Sequence, residues 1–384
     1  MPRSVIESNT MADNHETPRF VDRLTIDLAT ATLFHAPLPG VAERARQELL
    51  AIRDSLLRTF PGAGIVLTGS LFAAEGQADI VAGVPVIRSD YDFFVVTPNF
   101  CDTLAHRAAK RLNGPLGDLA LSTRVEIGLV WEPLLRKGQT TIGGAVVGGS
   151  RDLAPLLISL PAPSAHSALL QSYRALSVAP LHPERYALFC SKGLMRAAHA
   201  FLLDRCRGTP RQAWIGLFSV PYVKNALRAY AGLLGEDVVR AVARAGDFIM
   251  GEGADAPAIG DHARFAGMVG RMADHIAIGR SRLFALKHFF WLCRKRRAGV
   301  PRPDAGLLTL NGLRALAEAW TDGATPAAAS LESAARAVCG VCFHGTGDMT
   351  SDPVAAYARM RSLLSSLAGF NPHRLLYGPS TMTL

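Results

Sequence analysis

The first third of the chain carries two different apolar periods. From Val41 to Phe60, Ala45, Leu49, Ile52, Leu56 and Phe60 return at three- and four-residue steps while charged residues fill the opposite face. That spacing predicts an amphipathic helix, stopped by Pro61-Gly62. Ile65-Val66-Leu67 is instead a short unbroken apolar run ending at Gly69-Ser70, which predicts a buried strand packed on that helix. A second strand is expected in Asp90-Tyr91-Asp92-Phe93-Phe94-Val95-Val96. Between the two, Glu75 to Ile87 reads as an inserted loop or hairpin turning at Gly83-Val84-Pro85. Cys101 to Leu112 reads as a helix ending near Asn113-Gly114-Pro115, and Leu121 to Trp131 as a third strand. Gly138 to Ser150 is glycine-rich with a β-branched middle. It lacks the Gly-Lys-Ser/Thr ending of a phosphate-binding P-loop, so a hairpin or flap at the sheet edge is expected.

From Ala165 onward the period is helical. Helices are predicted over Glu184–Arg207, Arg211–Leu234, Glu236–Phe248, Ala263–Arg297, Leu307–Trp320, Ala327–Val338 and Pro353–Leu367, with glycines at 267, 270 and 279 weakening the longest. No internal repeat is evident. The pattern divides the chain into a leader over 1–20, an α+β domain over 21–160 with a mixed sheet flanked by helices, and a mostly α-helical domain over 161–384. The apolar, Pro-rich stretch Ala154–Pro163 forms the passage between the two domains.

Composition narrows the function classes. A chain of 384 residues has room for two cores, and its net charge of +9 favours a polyanionic ligand, a nucleoside triphosphate or a nucleic acid. The six cysteines are scattered without a secreted-type framework. No apolar run is long enough to span a bilayer, and Met1–Arg19 lacks the apolar core of a signal peptide, so the expected compartment is the cytoplasm, with no membrane partner.

The candidate chemistry lies between Ile65 and Thr97. Alternate side chains of a strand share a face, so Asp90 and Asp92 point one way and Tyr91 and Phe93 the other. Two carboxylates on one face repel unless a cation lies between them. A hard divalent ion such as Mg²⁺, its shell completed by substrate phosphates, suits them, with Mn²⁺ as an alternative. Gly69 lets the backbone approach a ligand, and Ser70 is placed to cap a following helix whose free N–H groups attract phosphate. Either Asp alone would read as a turn cap or a solvated strand end; it is the combination that predicts a metal–nucleotide site.

At these residues the chain resembles the nucleotidyltransferase superfamily that includes DNA polymerase beta and the aminoglycoside nucleotidyltransferases. The shared pattern is an apolar strand, Gly-Ser, a short helix, then Asp-x-Asp in a second strand. Gly69, Ser70, Asp90 and Asp92 match it, over roughly residues 40–135 with a weaker echo to about 206. The departure is the longer stretch between Ser70 and Asp90. The resemblance implies a nucleotidyltransferase-fold sheet and transfer of a nucleoside monophosphate from an NTP, with ATP the first choice, to an acceptor hydroxyl. It also implies a third carboxylate on a later strand, for which Glu126 is the candidate and Glu132 the reserve. That residue would ligate a second metal or take the acceptor's proton; the competing reading of Glu126 is a solvated strand charge paired with Arg124.

Lys192 interrupts the apolar stripe of Leu188, Met195, His199 and Leu202, and resembles the basic residue that meets the triphosphate in antibiotic nucleotidyltransferases. A snorkelling lysine is its other reading. His199 is expected to pack and Arg196 to be solvated. The expected acceptor is a small hydroxylated molecule. A non-catalytic nucleotide-binding scaffold and an RNA-end nucleotidyltransferase are the alternatives. Three other patterns carry less: Cys339-Gly-Val-Cys342 with His344 has the local spacing of a zinc half-site but no second pair of ligands, so packing is expected; Arg294–Arg297 is a basic run at a helix end; and Arg282 with His288 has a spacing that arises readily by chance.

Overall fold

The computed structural model describes residues 23–35, 40–98, 102–138, 140–149, 152–253, 256–257, 259–277, 305–320, 325–339, 352–369 and 374–377. Helix α1 (Val41–Thr59) precedes strand β1 (Gly64–Thr68), one helical turn α2 (Gly69–Phe72), strands β2 (Ala78–Val81), β3 (Val84–Ile87) and β4 (Tyr91–Thr97), and helix α3 (Asp102–Gly117). Strand β5 (Val125–Trp131), the short α4 (Glu132–Arg136), strand β6 (Ala145–Gly149) and the short α5 (Ala154–Ile158) complete this part. The chain is mixed α/β. A five-stranded sheet of order β6-β1-β4-β5-β7, its last strand β7 formed by Arg374–Tyr377, holds the acidic residues, and β2–β3 form a separate hairpin.

The strands follow the apolar runs. Ile65, Val66, Leu67, Tyr91, Phe93 and Val95 are all buried, and α1 buries Ala45, Leu49, Ile52 and Leu56 against the same core. The insertion is a hairpin, turning at Ala82-Gly83 instead of at Gly83-Val84-Pro85. Both turn residues have positive φ, the geometry of a two-residue hairpin loop. Helix α3 does not stop at Asn113 but continues through Pro115, with Leu112 and Leu116 both buried. Strand β5 begins later than expected, at Val125. The Glu48 carboxylate on α1 accepts the Ser122 N–H at 2.9 Å and its hydroxyl at 2.7 Å, which takes Ser122 out of any ladder. The glycine-rich stretch becomes edge strand β6, antiparallel to β1. Its glycines serve packing: a Cβ on Gly143 would overlap the Phe218 ring, and one on Gly144 the Leu67 carbonyl.

The helical part comprises α6 (Ala165–Val178), α7 (Tyr186–Arg205), α8 (Arg211–Trp214), α9 (Val220–Arg228), α10 (Ala231–Leu234), α11 (Glu236–Met250), α12 (His262–Asp274), α13 (Ala305–Ala317), α14 (Ala328–Cys339) and α15 (Pro353–Gly369). Helix α7 is central and almost wholly apolar, packed by α6, α9, α11 and α12. The single helix expected over Arg211–Leu234 is broken into short pieces, with Ser219 at the cap and Pro221 in the first turn of α9, where its missing N–H costs no helical bond. Strand β7 (Arg374–Tyr377) returns to pair antiparallel with β5, which no apolar period announced. The apolar core runs without a break from the sheet into the helices. The leader, Cys342, His344, Arg282, His288 and Arg294–Arg297 lie outside the described residues. No described helix is long and apolar enough to cross a membrane.

Candidate functional site

Strand register assembles the site. β4 and β5 run parallel with Asp92 beside Glu126, and β1 runs antiparallel with Thr68 on the other side of Asp92. Directly paired residues of neighbouring strands share a face, so Thr68, Asp92 and Glu126 form a row across three strands spaced about 4.8 Å apart. Asp90 stands immediately before β4. Tyr91 turns the other way, buried, with its hydroxyl donating to Glu48 of α1 at 2.8 Å. The one aromatic residue between Asp90 and Asp92 therefore anchors the strand on α1 and leaves the acids on the opposite face.

Arg124 lies among these carboxylates. Its guanidinium donates to Asp90 at 2.6 Å and stands 3.6 Å from Glu126. All three side chains are half-buried, at 24%, 28% and 14% exposure for Arg124, Asp90 and Glu126. Glu126 is thus beside Arg124, as the competing reading held, but the tighter pairing is to Asp90. Gly69 has φ +74°, and a Cβ there would overlap the Asp92 carboxylate. Only glycine allows the β1–α2 corner to close onto that acid. Ser70 is not the helix cap. Thr68 occupies the cap position, Ser70 lies within the single turn of α2, and its carbonyl accepts the Glu75 N–H at 2.8 Å.

Helix α7 faces the acids. Burial holds the Lys192 ammonium below the usual lysine range; Asp90 and Asp92 pull the other way, while Arg196 and Arg124 add to the lowering. Burial likewise lowers Arg196, and Asp92 opposes it. Both side chains keep more than a third of their surface in contact with solvent although their surroundings desolvate them, as expected of side chains lining a cleft. Arg196 is exposed, as expected, and also stands within electrostatic reach of Asp92. One turn on, His199 is buried with its ring edge-on to Phe218, and burial together with Arg196 pushes its pKa down to about 3. It packs as a neutral ring.

Glu132 is six residues beyond Glu126, or roughly 20 Å along an extended strand. It starts α4, buried, with Arg136 donating to it at 2.8 Å. Register therefore favours Glu126 as the third acid. Among the described residues no group of three His, Cys, Asp or Glu side chains is placed to hold a metal ion. Asp90, Asp92 and Glu126 carry the hard oxygen donors that a divalent cation prefers, but the Arg124 guanidinium stands between two of them.

Sequence reasoning named Arg124 only as a partner of Glu126 and Arg196 only as a solvated residue, and did not name Glu48. The i, i+4 spacing of Lys192 and Arg196 was a legible signal for one shared helix face. Glu48 had none, because its partners lie 43 and 74 residues away. No family model, curated relative or solved structure matches the chain.

Proposed function

We propose that this protein is a metal-dependent nucleotidyltransferase with a nucleotidyltransferase-type sheet, moving a nucleoside monophosphate from an NTP to a hydroxyl of a small molecule. The observation that carries this reading is the acidic row of Asp92 and Glu126 with Asp90 beside it, facing Lys192 and Arg196. Carboxylates on one wall and cations on the other suit a metal-bound triphosphate, which needs both. Asp90 and Asp92 would hold Mg²⁺, which supplies charge neutralisation on the phosphates. Lys192 and Arg196 bind the triphosphate oxygens from the opposite wall. The Gly69 corner and Ser70 seat the phosphates beside Asp92. Glu126 takes the proton of the acceptor hydroxyl as its oxygen bonds to the α-phosphorus; the α–β phosphoanhydride bond breaks and pyrophosphate leaves with the electron pair.

Arg124 supports a second reading. A guanidinium that already neutralises Asp90 and leans on Glu126 suits a nucleotide-binding protein that performs no transfer. The two readings part on metal dependence. Thermal unfolding with an ATP analogue blocked at the α–β bridge, with and without Mg²⁺, measures it. Ligand at a hundred times its Kd stabilises by about 2.7 kcal/mol, a readable Tm rise. The transferase reading expects a rise that needs Mg²⁺ and is absent in Asp90→Asn/Asp92→Asn, a pair of substitutions that keeps side-chain size and shape. A shift of equal size without Mg²⁺, or one kept in the double variant, overturns it.

A further inference from the structure

A cavity of about 360 Å³ lies between α7, α11 and α12, lined by none of the residues of the acidic cleft. That size is at the small end of ligand pockets. Its α7 contribution is Ser191, turned about 100° around the helix from Lys192. Ser191 is fully buried, and its hydroxyl has no hydrogen-bond partner. Buried hydroxyls are ordinarily paired, so an orphan lining a cavity marks a place where a partner is missing.

The charges around the cavity are unbalanced. Arg240 and Arg244 of α11 and Arg264 of α12 line it, all exposed, and no described residue forms an ion pair with any of them. Arg240 and Arg244 stand four apart on one helix face, a spacing at which like charges oppose helix formation. Asp237 is already engaged by both terminal nitrogens of Arg271, one at 3.1 Å. Asp261 is the other acidic lining residue, leaving three guanidiniums against one carboxylate. The rest of the wall is apolar, with the Phe265 ring and Met268 beside Ala241 and Ala245.

We infer that this cavity binds a small organic phosphate, its anionic head on Arg240, Arg244 and Arg264 with the Ser191 hydroxyl donating to it, and a compact, flat apolar body against Phe265 and Met268. Guanidiniums match phosphate oxygens in geometry and charge, and the apolar wall distinguishes an ester from the free ion. The site is separate from the carboxylate cleft, and its occupation does not depend on the transferase reading.

Isothermal titration of the full chain with phenyl phosphate, inorganic phosphate and phenol tests this. Phenyl phosphate is expected to bind most tightly, inorganic phosphate at least several-fold more weakly, and phenol not measurably. Arg240→Gln and Arg264→Gln, both at exposed positions and checked for folding by circular dichroism, each weaken phenyl phosphate by roughly ten- to a hundredfold. Ser191→Ala, which keeps the helix, weakens it several-fold. Asp90→Asn/Asp92→Asn leaves it unchanged, which separates this site from the cleft. Absence of phenyl phosphate binding at millimolar concentration, equal binding of phenol, or affinity unaltered by both arginine substitutions overturns the proposal.

Discussion

At the scale of single residues, the site depends on which atoms share a strand face. Asp92 and Glu126 are opposed by register, and Gly69 is closed over Asp92 by a left-handed corner. The role of Glu126 can be separated from that of the aspartates. Glu126→Gln keeps size and shape but cannot accept a proton. If Glu126 is the base, metal-dependent triphosphate binding stays near wild type while turnover with an acceptor falls by roughly 10²–10⁴, in kcat more than in KM. If it instead ligates a second metal, raising Mg²⁺ or Mn²⁺ restores part of the loss. A variant with wild-type turnover would remove Glu126 from the chemistry. The Asp pair, the glycine and the lysine were legible because each has a local signature. Arg124 was legible only as a neighbour of Glu126 and Arg196 only as an exposed residue, since what else a cation faces is decided by another segment.

At the scale of elements, one carboxylate joins the β1–α2 corner to the helical part. Glu75 follows α2, is buried, and accepts the Val220 N–H at the start of α9 at 2.7 Å. Burial raises its pKa to about 7, opposed by Ser219 and the Val220 N–H. A carboxyl whose folded pKa lies above its unfolded one holds its proton longer in the folded state. Its stabilising contribution is whole below about pH 4.5 and is lost as pH rises through about 7. The loss is on the order of 3 kcal/mol. Glu75→Gln should therefore flatten the fall in Tm between pH 5 and 7.5; an unchanged slope in the variant would remove Glu75 as its source. Sequence pattern identified an insertion here and its hairpin, but not this contact, because 145 residues separate the partners.

At the scale of the whole molecule, β7 decides how the sheet ends. It covers β5, which would otherwise present an open edge beside the strand that carries Glu126. Ending the chain at residue 369 is expected to lower Tm and to cause aggregation that grows with protein concentration, both readable by light scattering during a thermal ramp. A truncated chain as stable and monodisperse as the full one would show that β7 contributes no protection. The sequence determined the order of the main helices and strands as far as residue 131, which acids share a face, and that a cation-bearing helix follows. Those are matters of period, turn chemistry and charge, written within a few residues of each other. The tertiary structure alone decided that Arg196 faces Asp92, that Arg124 holds Asp90, that Glu48 delays β5 and that β7 closes the sheet. Each joins segments far apart in the chain, whose approach is set by the burial of a continuous core and not by any local pattern.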